Sequence, residues 1–90
     1  MATVHLLIKG KVQGVFFRDT AKTTAIKLGV TGWVKNTPDG HVEAVITGSE
    51  EELEQFIEWA RKGPKSAVVV DVIRTGREHE NFKKFMIRDL

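Results

Sequence analysis

Ninety residues, 41% hydrophobic and 29% charged, provide one modest apolar core and leave no room for a second, so a single domain over residues 1–90 is expected. Fourteen Lys and Arg against twelve Asp and Glu leave a net charge of +2, which demands no nucleic-acid partner, and the lack of cysteine excludes disulfides, a thiol nucleophile and thiolate metal sites. The start Met1-Ala2-Thr3-Val4-His5 lacks a signal-peptide pattern and no apolar run nears the roughly 20 residues of a membrane span, so a soluble, cytoplasmic protein is expected.

From Thr3 to Val12, Val4, Leu6, Ile8 and Val12 alternate with His5, Lys9 and Lys11, the period of a half-buried strand. Phe17, Ala21, Thr24, Ala25 and Leu28 then form one stripe of an amphipathic helix that stops at Gly29. Val30 to Asn36 and His41 to Thr47 read as two strands joined through the turn Thr37-Pro38-Asp39-Gly40. Ser49 and Glu52 form a capping box for a second helix with the stripe Leu53, Phe56, Ile57 and Ala60, ended by Gly63-Pro64. Valine-rich Ala67 to Thr75 reads as a strand, Gly76 to Asn81 as a polar turn, and a short last strand falls around Phe85 and Ile87.

The order β-α-β-β-α-β with a short fifth strand predicts an α/β (α+β) ferredoxin-like sandwich: an antiparallel sheet carrying two helices on one face. This architecture hosts many functions, so function must be read from side chains.

The most unusual segment is Gly10-Lys11-Val12-Gln13-Gly14-Val15-Phe16-Phe17-Arg18, where a strand ends, a glycine permits a turn and an arginine opens a helix. Backbone N–H groups of such a turn and of a helix start converge to favour an anion, and the planar fork of Arg18 binds two phosphate oxygens at once. Spacing alone leaves this phosphate or carboxylate cradle open against a plain glycine turn with Arg18 at the surface over Phe17. Asn36, where the second strand meets the turn, offers one acceptor and two donors; it either bonds its own backbone or faces the cradle.

Other chemistry-bearing residues read as structural. His5, His41 and His79 are expected to be solvated, and none has metal-ligand spacing with a carboxylate. The glutamates from Glu50 to Glu58 suit a solvated helix face with an acidic start. Trp33, Trp59, Phe56, Phe82 and Phe85 are expected in or near the core, and neither Ser49 nor Ser66 has a histidine beside it to make a nucleophile.

Two stretches carry a family resemblance. Gly10 through Arg18 follows the pattern glycine, any residue, Val-Gln-Gly-Val, any residue, an aromatic and Arg; Gly32, Trp33, Val34, Lys35, Asn36, Gly40, Val42 and Gly48 follow a second one. With Gly63-Pro64, Ala67 and the closing Phe85 to Ile87, the chain resembles the acylphosphatases along its whole length. The resemblance implies hydrolysis of acyl phosphates to a carboxylate and inorganic phosphate, with no cofactor and no metal. It further implies that backbone N–H groups of Gln13, Gly14, Val15, Phe16, Phe17 and Arg18, with the Arg18 guanidinium, hold the phosphoryl group while the Asn36 amide orients water. The alternative is a non-catalytic anion-binding or regulatory module of the same fold. RNA binding is not expected, because no aromatic pair is flanked by the required basic-glycine pattern. A monomer is expected, on the view that no exposed apolar stripe remains once the core is assigned.

Overall fold

The structure, a computed structural model, describes residues 1–89; Leu90 lies outside the described residues. The elements are β1 (Ala2–Lys11), α1 (Phe17–Leu28), β2 (Thr31–Asn36), β3 (Val42–Gly48), α2 (Glu50–Lys62), β4 (Val68–Arg77) and β5 (Phe85–Arg88). Each matches a segment read from periodicity, with shifts at the ends. The largest is at β4, which continues through Gly76 and Arg77, assigned to a turn by their polarity, because Thr3 and Val4 of β1 still offer pairing partners there.

The helix boundaries follow from local chemistry. Gly29 takes φ 82° and its N–H reaches back to the carbonyls of Ala25 and Ile26, closing α1 in a conformation that costs glycine nothing. Ser49 and Glu52 form the reciprocal capping box of α2, with Glu52 N donating to Ser49 Oγ at 3.2 Å and Ser49 N to Glu52 Oε1 at 2.8 Å. Leu53, Phe56, Ile57 and Ala60 are all buried, as their spacing demands.

The sheet order is β4-β1-β3-β2-β5. The expected antiparallel pairing holds for the first four strands, whereas β5 joins β2 in parallel, so the sheet is mixed. The cause is topological: β4 and β5 are the two edges, and the segment between them must cross the width of the sheet. That crossing is pinned at Glu80, whose N–H donates to Thr3 Oγ1 at 2.9 Å and whose carbonyl accepts from Thr47 Oγ1 at 2.8 Å. Thr3 and Thr47 are hydrogen-bonded to each other at 2.7 Å, so two buried hydroxyls are satisfied together.

Alternation sorts the strands into two faces. Val4, Leu6 and Ile8 pair with Ile46, Ala44 and Val42 and pack with Phe17, Phe56 and the alanines of α1 into one core. Trp33 is buried as expected, but outside that cluster. It is buried on the opposite face, in register with Val45, beneath the Lys35 ammonium and the Arg88 guanidinium at 5.4 and 4.7 Å from its ring. Phe82 is only half-buried. The supposed absence of leftover apolar surface also fails: Val68, Val70 and Ile73 are exposed on the edge strand β4, although Val72 of the same strand is buried in the core.

Candidate active site

Gly10 and Gly32, one from each of the two signature stretches, permit close backbone approach. A Cβ on Gly10 would lie 2.1 Å from the Val68 carbonyl oxygen, at the bulge where β1 and β4 change register; one on Gly32 would lie 1.9 Å from that of Val45. The end of β1 is thereby held tightly, and residues 12–16 leave it as a short loop leading into α1.

Within that loop Gly14 has φ 73°, and Phe16, the residue capping α1, has φ 61° and ψ 26°, where a non-glycine residue is uncommon. A left-handed residue followed by right-handed helical ones turns successive N–H groups toward one side, forming an anion-binding concavity. The free N–H groups at the start of α1 add to it, with the positive end of the helix dipole. Among the described residues, no protein acceptor engages the N–H groups of Gly14, Val15 or Phe16.

The Gln13 side chain ties this loop to the hairpin. Its Nε2 donates to the carbonyls of Thr37 and His41, each at 2.8 Å. The turn between them is closed internally: Thr37 N donates to the His41 carbonyl at 2.9 Å, Gly40 N to the Thr37 carbonyl at 3.2 Å, and His41 N to Thr37 Oγ1 at 3.0 Å. The Thr37 hydroxyl also donates to the Asp39 carboxylate, and chiefly for that reason the Asp39 pKa lies below its ordinary value. Asn36 is the last residue of β2 before this turn. It faces the helix side with Val42, and β3 separates it from β1, so it is the Gln13 bridge rather than strand adjacency that links the loop to its hairpin.

Arg18, in the first turn of α1, is half-buried. Its Nη1 donates to the Arg88 carbonyl at 3.3 Å and stands 3.8 Å from the fully exposed Asp89 carboxylate. The parallel pairing of β5 with β2 brings these residues here, since Lys35 is in register with Arg88 one step before Asn36. Arg18 and Asn36 line one pocket of about 230 Å³ together with Val12, Gly14, Phe16, Asp19 and Ile87. Of the six loop residues expected to hold an anion, Gly14, Phe16 and Arg18 border this pocket, Gln13 turns its side chain to the hairpin, and the side chains of Val15 and Phe17 are buried.

The acylphosphatase family model matches residues 4–87, nearly all of the chain. The chain belongs to the acylphosphatase family. It is 48% identical to the acylphosphatase of Thiobacillus denitrificans over 86 residues, 93% of this chain and 97% of that one. With the acylphosphatase of Pyrobaculum arsenaticum the identity is 49% over 89 residues, covering 97% and 94% of the two chains. The crystal structure of acylphosphatase from Bacillus subtilis matches with a TM-score of 0.94 at 36% identity, over 98% of this chain and 99% of that one.

Three features of this acylphosphatase were not legible as site residues: the Gln13 amide as a bridge, the left-handed Phe16, and the Arg88 carbonyl beneath Arg18. Gln13 and Phe16 were expected in the anion-holding loop by their backbone alone; nothing in the sequence signals the bridging amide, the left-handed angle or the Arg88 carbonyl. Two histidines also differ from expectation. His5 is half-buried, with Nε2 2.7 Å from Glu43 Oε2, a diagonal cross-strand contact on the face away from the helices. His41 is half-buried, and its Nδ1 has no partner among the described residues. No group of three His, Asp or Glu among the described residues is arranged to hold a metal ion.

Proposed function

We propose that this acylphosphatase cleaves the carboxyl-phosphate bond of acyl phosphates without a metal. The phosphoryl group sits on Arg18 and the backbone of Gln13–Arg18, and Asn36 orients the attacking water. The observation that carries the reading is the shared pocket: Arg18 of α1 and Asn36 at the end of β2 both line the cavity onto which the left-handed loop and the start of α1 turn.

The chemistry asks little of the side chains. The carboxylate is already a good leaving group, so positioning and stabilisation of phosphoryl charge suffice, and no histidine base or serine nucleophile is needed. Arg18 offers its fork to two phosphoryl oxygens, and its present partners yield readily: one is a long hydrogen bond to a carbonyl, the other an ion pair with a fully exposed carboxylate. The Asn36 amide accepts from the water and donates to the phosphoryl oxygens, fixing the line of attack.

The protein acts as one domain and as a monomer in the cytoplasm. The bulge beside Val70 and the charges of Asp71, Arg74 and Arg77 keep the exposed β4 edge from pairing with a second copy. No helix among the described residues is long and apolar enough to cross a membrane.

The test is hydrolysis of an acyl phosphate in chelator by the unsubstituted protein, Arg18→Lys and Asn36→Ala. Arg18→Lys should weaken phosphate inhibition and turnover together. Asn36→Ala should lower kcat by about 10²- to 10³-fold with phosphate affinity little changed. Phosphate binding by a folded but inactive unsubstituted protein would favour the non-catalytic anion-binding module instead.

A further inference from the structure

The ring of Phe16 has no task in the fold. It is 76% exposed, although its neighbours Val15 and Phe17 are buried, and its backbone occupies a region that disfavours large side chains. The backbone is nevertheless held: the Phe16 carbonyl accepts from Thr20 N at 3.1 Å and from Thr20 Oγ1 at 2.8 Å. The direction in which the side chain leaves the loop is therefore fixed, and it leaves along the pocket that also contains Arg18 and Asn36.

A phosphoryl group seated on Arg18 and the loop must direct its acyl group away from the cradle. The apolar surfaces lining the pocket are Val12, Phe16 and Ile87; Val12 is buried and Ile87 half-buried, which leaves Phe16 as the open one. Residue 16 also lies in a signature position that accepts any residue, so gripping phosphate does not itself call for an aromatic there.

We propose that Phe16 is a specificity-determining residue that selects acyl phosphates with an aromatic or extended apolar acyl group, which packs on its ring while the phosphoryl group is held. The inference rests on the function proposed above. A planar acyl group meets the ring in an offset or edge-on arrangement and removes apolar surface of both partners from water.

The experiment compares benzoyl phosphate with acetyl phosphate in the unsubstituted protein, Phe16→Asn and Phe16→Tyr. Asparagine tolerates the left-handed backbone, and tyrosine keeps the ring. The readout is the ratio of kcat/KM for the two substrates, in which any disturbance of the phosphate cradle cancels. The unsubstituted protein should favour benzoyl phosphate; Phe16→Asn should reduce the ratio by roughly threefold to tenfold, through KM, while Phe16→Tyr retains it. An unchanged ratio in Phe16→Asn, or one lost equally in Phe16→Tyr, overturns the inference and leaves the function standing. Failure of the unsubstituted protein to turn over either compound overturns both.

Discussion

Gln13 offers a direct test of how the site is assembled, because one side chain carries both links between the loop and the hairpin that bears Asn36. Gln13→Ala removes two hydrogen bonds of 2.8 Å. Each neutral bond of this kind contributes about 0.5–1.5 kcal/mol net. Neither acceptor is stranded, since Thr37 N still bonds the His41 carbonyl and Gly40 N the Thr37 carbonyl. The loss therefore comes to about 1–3 kcal/mol, without the further penalty of a buried unpaired group. In a chain of this size that lowers the thermal midpoint by about 4–24 °C. The kinetic effect should be larger in proportion: a loop displaced by about 1 Å from Asn36 lowers kcat/KM by up to about 100-fold. Turnover is measured well below the midpoint, where the variant is folded, and unfolding is followed by circular dichroism. Gln13→Glu adds a discriminating arm, since its carboxylate faces two carbonyl oxygens; it should be less stable than Gln13→Ala at neutral pH and recover on acidification, when the protonated acid again has a donor. Wild-type kinetics and an unshifted midpoint in Gln13→Ala would refute the bridge.

Two further substitutions separate backbone approach from backbone angle. Gly32→Ala puts a Cβ 1.9 Å from the Val45 carbonyl oxygen and should abolish folding, whereas Gly40→Ala, with nothing within 4 Å but φ 94°, should cost only about 1–2 kcal/mol in a denaturant titration. The depressed pKa of Asp39 means that its bond to Thr37 is fully present above the ordinary carboxylate range and is lost as the pH falls through the lowered value; Asp39→Asn should flatten that acid limb of stability, read from unfolding midpoints against pH.

What could be read from the sequence was whatever is local. The stripe of α2, its capping box and the turn at Thr37 to Gly40 depend on residues within a few positions of each other, and they appear where periodicity and turn chemistry put them. Arg18 and Asn36 were identifiable as candidates from residue type and from family resemblance, and the structure brings both to one pocket. What escaped is long-range or conformational. The bonds of Gln13 span 24 and 28 positions, the contact of Arg18 with Arg88 spans 70, and no residue pattern announces that Phe16 turns left-handed. The parallel alignment of β5 was hidden for the same reason, because its partner is chosen by a crossing segment pinned at Thr3 and Thr47 rather than by a local turn.

That pinned crossing also bears on the order in which the molecule assembles. Of the strand pairings, only β2 with β3 is a local hairpin; β1 must find Gly48 and Arg77 far along the chain, and β5 must be carried across the sheet to β2. Closure of such distant contacts is slow relative to a hairpin or a helix. Asn36 is therefore carried by an element that forms early, whereas the carbonyl that steadies Arg18 arrives with the last strand to dock. During refolding, recovery of turnover should trail the return of secondary structure, with the interval set by the docking of four residues at the edge of the sheet.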